Sequence, residues 1–131
     1  MYLSFDDKKS VRQTKGVLLV ESPSSARDRH FKTLERNGYK VTTADTIDTA
    51  RSLWSPQHYG LVIVSVNGFG SLAASFCNEL KDSDSEQVIA LIFSPDQDLP
   101  ATSCATLIFT TEPDEYFLAR VETLTAAAYA A

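Results

Sequence analysis

Three runs without a polar residue constrain the fold of this chain most strongly. They are "GVLLV" at 16–20, "LVIV" at 61–64 and "VIALIF" at 88–93. Continuous apolar runs of this length are typical of parallel strands that are buried on both faces. The segments between them carry apolar residues at helical spacing. The alternation predicts βαβ units, and therefore an α/β domain built on a parallel sheet.

The complete pattern predicts five strands and four helices. The predicted strands are 16–20, 40–44, 61–64, 88–93 and 106–109. The predicted helices run from Ser24 or Ser25 to a stop at Asn37 and Gly38, from Thr46 to a stop before Pro56, from Ser71 to Lys81, and from about Pro113. Their predicted apolar stripes are, in chain order, Phe31 and Leu34; Ile47, Ala50, Leu53 and Trp54; Leu72, Phe76 and Leu80; and Phe117, Leu118, Val121 and Leu124.

The alternation falters between the fourth and fifth strands. The segment "SPDQDLPATSCA" contains Pro95 and Pro100. Proline removes a backbone donor and obstructs the preceding turn, so a long regular helix is not expected here. A fourth crossover helix would therefore be shortened or absent.

Composition and charge exclude several classes of function. The 131 residues carry a formal net charge of −5 and contain no basic cluster, which argues against direct nucleic-acid binding. Cys77 and Cys104 lack the spacing of a zinc site, and two lone cysteines suit a reducing cytoplasm. The apolar runs are too short to cross a membrane. We expect a cytoplasmic protein without membrane contact.

Five segments in order resemble the landmarks of response-regulator receiver domains: "VLLVES", "NGYKVTTADTIDTARSL", "YGLVIVSVN", "VIALIF" and "TLIFTTEP". The resemblance covers about residues 16–127, with 1–15 as a polar N-terminal tail and 128–131 as a C-terminal tail. It implies a flavodoxin-like, doubly wound five-stranded parallel sheet of order 2-1-3-4-5, with helices on both faces.

The resemblance also indicates which residues occupy the family's phosphorylation pocket. The phosphoacceptor aspartate corresponds to Ser65, and the acidic pair that holds Mg²⁺ corresponds to Glu21 and Ser22. The family's hydroxyl after the fourth strand corresponds to Ile92, and its lysine after the fifth strand to Glu112. Only Glu21 keeps its chemical type, and one carboxylate is a poor Mg²⁺ site. The sequence therefore predicts a degenerate pocket without metal, cofactor or phosphate.

Serine catalysis is not expected at Ser65. A serine nucleophile needs an adjacent base, and the chain contains only His30 and His58. We place His30 on the surface of the first helix and His58 at the amino end of the third strand, away from the crevice. The pattern G-x-S-x-G is also absent. The chain is therefore predicted to have no catalytic residue and not to be an enzyme.

Two functions remain open. The first is a phosphorylation-independent pseudo-receiver that acts as a protein–protein interaction or regulatory module in bacterial signalling and binds another protein or a second copy of itself. Its expected interaction face includes Leu99, Leu107, Phe109 and Phe117. The alternative is a receiver-like switch that responds to an unknown small ligand in the crevice around Ser65. In the first case Ser65 would hydrogen-bond only its own loop.

Overall fold

The computed structural model describes residues 13–67, 69, 71–94, 105–109 and 113–130. The strands are β1 (Gln13–Val20), β2 (Lys40–Ala44), β3 (Tyr59–Ser65), β4 (Ile89–Phe93) and β5 (Thr106–Phe109). The helices are α1 (Ser25–Arg36), α2 (Ile47–Leu53), α3 (Ser71–Ser83) and α4 (Asp114–Ala130). The strands form one parallel sheet of order β2-β1-β3-β4-β5, which confirms the predicted doubly wound topology. The predicted shortening of a fourth crossover helix falls on 95–104, outside the described residues.

The sheet separates two apolar clusters. Residues of α2 and α3, such as Ala50 and Phe76, pack on one face, while Leu34 of α1 and Val121 of α4 pack on the other. All residues of β3 and β4 are buried, because these central strands are covered on both faces. The sheet therefore forms the middle layer of three.

The predicted helix stripes are confirmed in part. Phe76 and Ala50 are fully buried, and Trp54 packs against the same cluster while remaining partly exposed. Leu53 and Leu72, however, are exposed, contrary to prediction. Leu53 is the last residue of α2, and Leu72 lies in the first turn of α3, so both lie at helix ends.

The ends of α1 lie where the sequence predicts, at a serine cap and at a glycine turn. The Ser24 hydroxyl accepts a hydrogen bond from the backbone N–H of Arg27 at 3.0 Å, which is an N-cap. At the other end Gly38 has φ of +88° and donates its N–H to the carbonyl of Glu35, and the N–H of Tyr39 bonds the carbonyl of Leu34. This left-handed turn favours glycine, and it directs the chain into β2.

No helix within the described ranges combines the length and hydropathy that a membrane span requires.

Candidate functional site

One row of side chains crosses the carboxyl edge of the sheet, on the face covered by α1 and α4. Ser65 is paired with Ile92, and Ile92 with Ile108. Glu21 lies one residue beyond Val20, which is paired with Val64, so it continues the row beside Ser65. Leu61 and Ile63 point into the cluster of α1 and α4, and strand alternation places Ser65 on that same face. The row therefore brings three of the predicted pocket positions together.

These three pocket positions are buried. Ser65 is 3% exposed, Ile92 1% and Glu21 6%. The predicted hydrogen bond of Ser65 to its own loop stays a prediction, because residues 68 and 70 of that loop lie outside the described residues. The fourth position, Ser22, is partly exposed, and the fifth, Glu112, lies outside the described residues.

The buried Glu21 has a specific partner in His30. Nδ1 of His30 lies 3.0 Å from Oε1 of Glu21, and both side chains are more than nine-tenths buried. A carboxylate only accepts hydrogen bonds, so Nδ1 is the donor. The prediction that His30 lies on the helix surface is therefore wrong. The signal that could have located it is its spacing of four residues from the buried Leu34, which puts both on the inner face of α1.

The His30 ring is also fixed from the side of α4. It stacks on Phe117 with ring centroids 4.6 Å apart and an interplanar angle of 30°. Next to His30 on α1, Nε of Arg29 donates to Oδ1 of Asp114, in the first turn of α4, at 2.8 Å. Phe117 is 3% exposed, so its side chain is not available on the predicted interaction face. These contacts hold α1 and α4 together over the row at the strand ends.

A crevice of about 470 Å³ opens outside this row. The loop after β1, the first turn of α1, the loop after β3 and the end of β4 line it through Glu21, Ser22, Pro23, Ser24, Ser25, Ala26, Asn67 and Ser94. Ser65 and Ile92 are not part of this lining, because they lie deeper in the sheet. The hydroxyl-bearing residue at the end of β4 that reaches the crevice is Ser94, which the sequence prediction missed. It is the first polar residue after a wholly buried strand, and that pattern marks it.

The described residues that line the crevice do not fit Mg²⁺. Among them Glu21 is the only acidic one, and its Oε1 already accepts from His30. The nearby carboxylates Asp45 and Asp48 are paired with Arg27 and Arg51. Among the described residues no group of three His, Cys, Asp or Glu side chains could hold a metal ion. Mg²⁺ usually recruits more anionic oxygen than a single engaged carboxylate provides.

The face formed by β5 and α4 presents a second, shallower depression of about 240 Å³. Thr106, Ala119, Arg120, Thr123 and Leu124 line it. Leu107, predicted for the interaction face, is partly buried against the cluster of α2 and α3. The side chain of Phe109 and all of Leu99 lie outside the described residues.

Comparison with known proteins gives one consistent result at the level of the fold. No protein-family model matches the chain, and no curated protein matches it by sequence. Among solved structures, a receiver domain protein (CheY-like) from Methanospirillum hungatei JF-1 is 16% identical with a TM-score of 0.67, over 89% of this chain and 99% of that one. Vibrio cholerae chemotaxis protein CheY4 is 18% identical with a TM-score of 0.68, over 83% of this chain and 97% of that one.

A third similar structure comes from a larger regulator. It is the N-terminal domain of a response regulator/sensory box/GGDEF protein from Carboxydothermus hydrogenoformans, 18% identical with a TM-score of 0.66, over 88% of this chain and 97% of that one. Identities this low report backbone similarity rather than shared chemistry. The chain has the fold of response-regulator receiver domains.

Proposed function

We propose that this chain is a phosphorylation-independent pseudo-receiver, a regulatory module of bacterial signalling that acts in the cytoplasm by binding another protein or a second copy of itself. The observation that carries the proposal is the row at the strand ends. Phosphoryl transfer to a receiver needs a carboxylate nucleophile, and here Ser65 fills that position, while Ile92 fills the position of the family's hydroxyl. Of the acidic pair that holds the metal in the family, only Glu21 remains a carboxylate here, and it is engaged by His30.

The alternative of a small-ligand switch is favoured by one observation, the crevice itself. Its lining offers hydroxyl and amide groups, from Ser22, Asn67 and Ser94, beside one buried carboxylate. Such a lining would suit a small polar molecule held by hydrogen bonds. Catalysis is not part of either proposal.

Amide NMR with Mg²⁺ and beryllofluoride tests the main proposal, because this pair mimics an acyl phosphate in an active receiver. We expect no saturable shift changes at Ser22, Ser65, Asn67 or Ser94 at millimolar concentrations. An unmodified receiver domain that keeps its acceptor aspartate, titrated under the same conditions, is the positive control. Saturable changes clustered at those residues in this chain would overturn the proposal.

Self-association is tested separately at the depression between β5 and α4. Ala119 is exposed there, and Ser75 is exposed on α3, across the sheet. If the chain forms a homodimer through this face, Ala119→Glu lowers the mass measured by light scattering, while Ser75→Glu leaves it unchanged. A monomer at all concentrations removes the homodimer and leaves a different protein as the partner.

A further inference from the structure

The buried hydrogen bond between Glu21 and His30 offers a reason why cations would not bind in the crevice. Among the described residues that line the crevice, Glu21 is the only acidic side chain, so it is the one carboxylate there that a cation could use. Its carboxylate is instead directed inward, to Nδ1 of His30 at 3.0 Å. The two side chains are only 6% and 8% exposed, so water competes little for this bond.

The position of His30 does not depend on what the crevice contains. Its helix begins at Ser25, shortly after Glu21, and the Ser24 cap fixes that start. Phe117 stacks on the imidazole from α4. Helix start and stack together hold the ring before any ligand arrives, so the donor is pre-organised for the carboxylate.

We infer that His30 is a positioning residue that occupies the place of a cation at Glu21 and thereby keeps divalent cations out of the crevice. A cation that turned Oε1 of Glu21 away from His30 would leave the Nδ1 N–H of His30 buried without an acceptor. Leaving a buried donor unsatisfied lowers affinity by about 10- to 100-fold. The inference rests on the proposed function, since both expect no bound cation in the unmodified chain, and it adds the residue responsible.

The test uses Mn²⁺ as the probe, because its paramagnetism broadens nearby amide signals even when it binds weakly. His30→Phe keeps an aromatic ring against Phe117 but removes the donor. In the unmodified chain we expect no selective broadening at Ser22 and Asn67. In His30→Phe we expect selective broadening there, with an affinity at least about 10-fold higher. In the double variant that combines His30→Phe with Glu21→Gln, the selective broadening should be lost again.

Each result decides the inference. Selective broadening in the unmodified chain, or none in folded His30→Phe, overturns it. Broadening that persists in the double variant also overturns it, because Glu21 would then not be the cation's ligand. A response of the unmodified chain to Mg²⁺ with beryllofluoride would instead overturn the proposed function. If folded His30→Phe shows no selective broadening and the unmodified chain does not respond to Mg²⁺ with beryllofluoride, the proposed function stands and the inference fails.

A measurement on the unmodified chain covers the case in which His30→Phe does not fold. In imidazole nitrogen NMR, an Nδ1 N–H of His30 that stays bonded and unshifted in millimolar Mg²⁺ supports the inference. Loss or displacement of that signal by Mg²⁺ overturns it.

Discussion

Gln87 forms a buried polar junction at the amino end of the sheet, and its replacement by Met should destabilise the fold. Its side chain is fully buried. Oε1 accepts from Nε1 of Trp54 at 2.8 Å, and Nε2 donates to the carbonyls of Tyr59 at 3.3 Å and Val88 at 3.0 Å. The junction therefore joins the end of α2 to the starts of β3 and β4.

The cost of Gln87→Met follows from these three bonds. Met has nearly the same volume, so little cavity forms and the loss is mainly polar. A buried hydrogen bond contributes about 1 kcal/mol net. Losing the bond to the carbonyl of Val88 costs less free energy, because this carbonyl also accepts from the N–H of Val62 at 3.1 Å. The long bond to Tyr59 is weak as well. We expect a loss of about 2 to 3 kcal/mol in the free energy of unfolding, a large part of a typical domain's stability.

Urea unfolding measures this loss, and the chain offers its own probe. Trp54 is the only tryptophan, so its fluorescence reports on the junction directly. Gln57→Met makes the same change at an exposed residue and should leave stability within about 0.5 kcal/mol of the unmodified chain. A cycle with Trp54→Phe, followed by circular dichroism, should give a coupling of about 1 kcal/mol. If Gln87→Met costs no more than the control, or if the coupling is near zero, the hydrogen bonds do not stabilise the fold as argued.

Three further predictions concern helix ends and one surface ion pair. Gly38→Ala should cost about 1 kcal/mol in urea unfolding, because φ is +88° while an added Cβ would meet no atom within 4 Å; Gly38→Asn should cost less. Ser24→Ala should lower the free energy of unfolding by about 1 kcal/mol through loss of the α1 cap, and Ser24→Asp should retain it. The hydrogen bond from Arg51 holds the pKa of Glu79 below its ordinary value. The stabilising effect of this ion pair is therefore present above the unfolded pKa of about 4.3 and is lost as pH falls through the lower folded pKa. The difference in unfolding free energy between the unmodified chain and Glu79→Gln should therefore disappear in acid. A difference that stays constant with pH would refute this.

The sequence predicts the sheet well because the signals for buried strands are local. The run at 61–64 lies inside the observed β3, which begins two residues earlier at Tyr59. Tyr59 is buried, but as an aromatic residue next to Gly60 it does not extend an aliphatic run. The apolar segments fix which strands are central, and the breakers between them fix the chain order. Strand ends are less certain, because pairing with a neighbour extends a strand beyond its apolar residues.

Buried polar residues were harder to predict, because their partners come from distant parts of the chain. By type, Gln87 looks like a surface residue, and histidines such as His30 are intermediate in burial. His30 is buried because Glu21 and Phe117 approach it from β1 and α4. Gln87 is buried because the Trp54 indole reaches it from the end of α2. Helical spacing could have placed His30 on the inner face, whereas no local pattern indicates the environment of Gln87.

The crevice shows why aligned positions alone did not predict its chemistry. The alignment with the receiver landmarks assigned Ser65 and Ile92 to pocket positions, but it could not show that the two are paired in one buried row. Side chains alternate along a strand, so the next residues on the same side of the chain are two positions further, at Asn67 and Ser94. Both line the crevice. A molecule that enters therefore meets an amide and a hydroxyl where a receiver would present an acceptor carboxylate. With Glu21 held by His30, the described lining offers a single carboxylate that is already hydrogen-bonded, and this is a stronger reason than any single substitution to expect no metal or phosphate there.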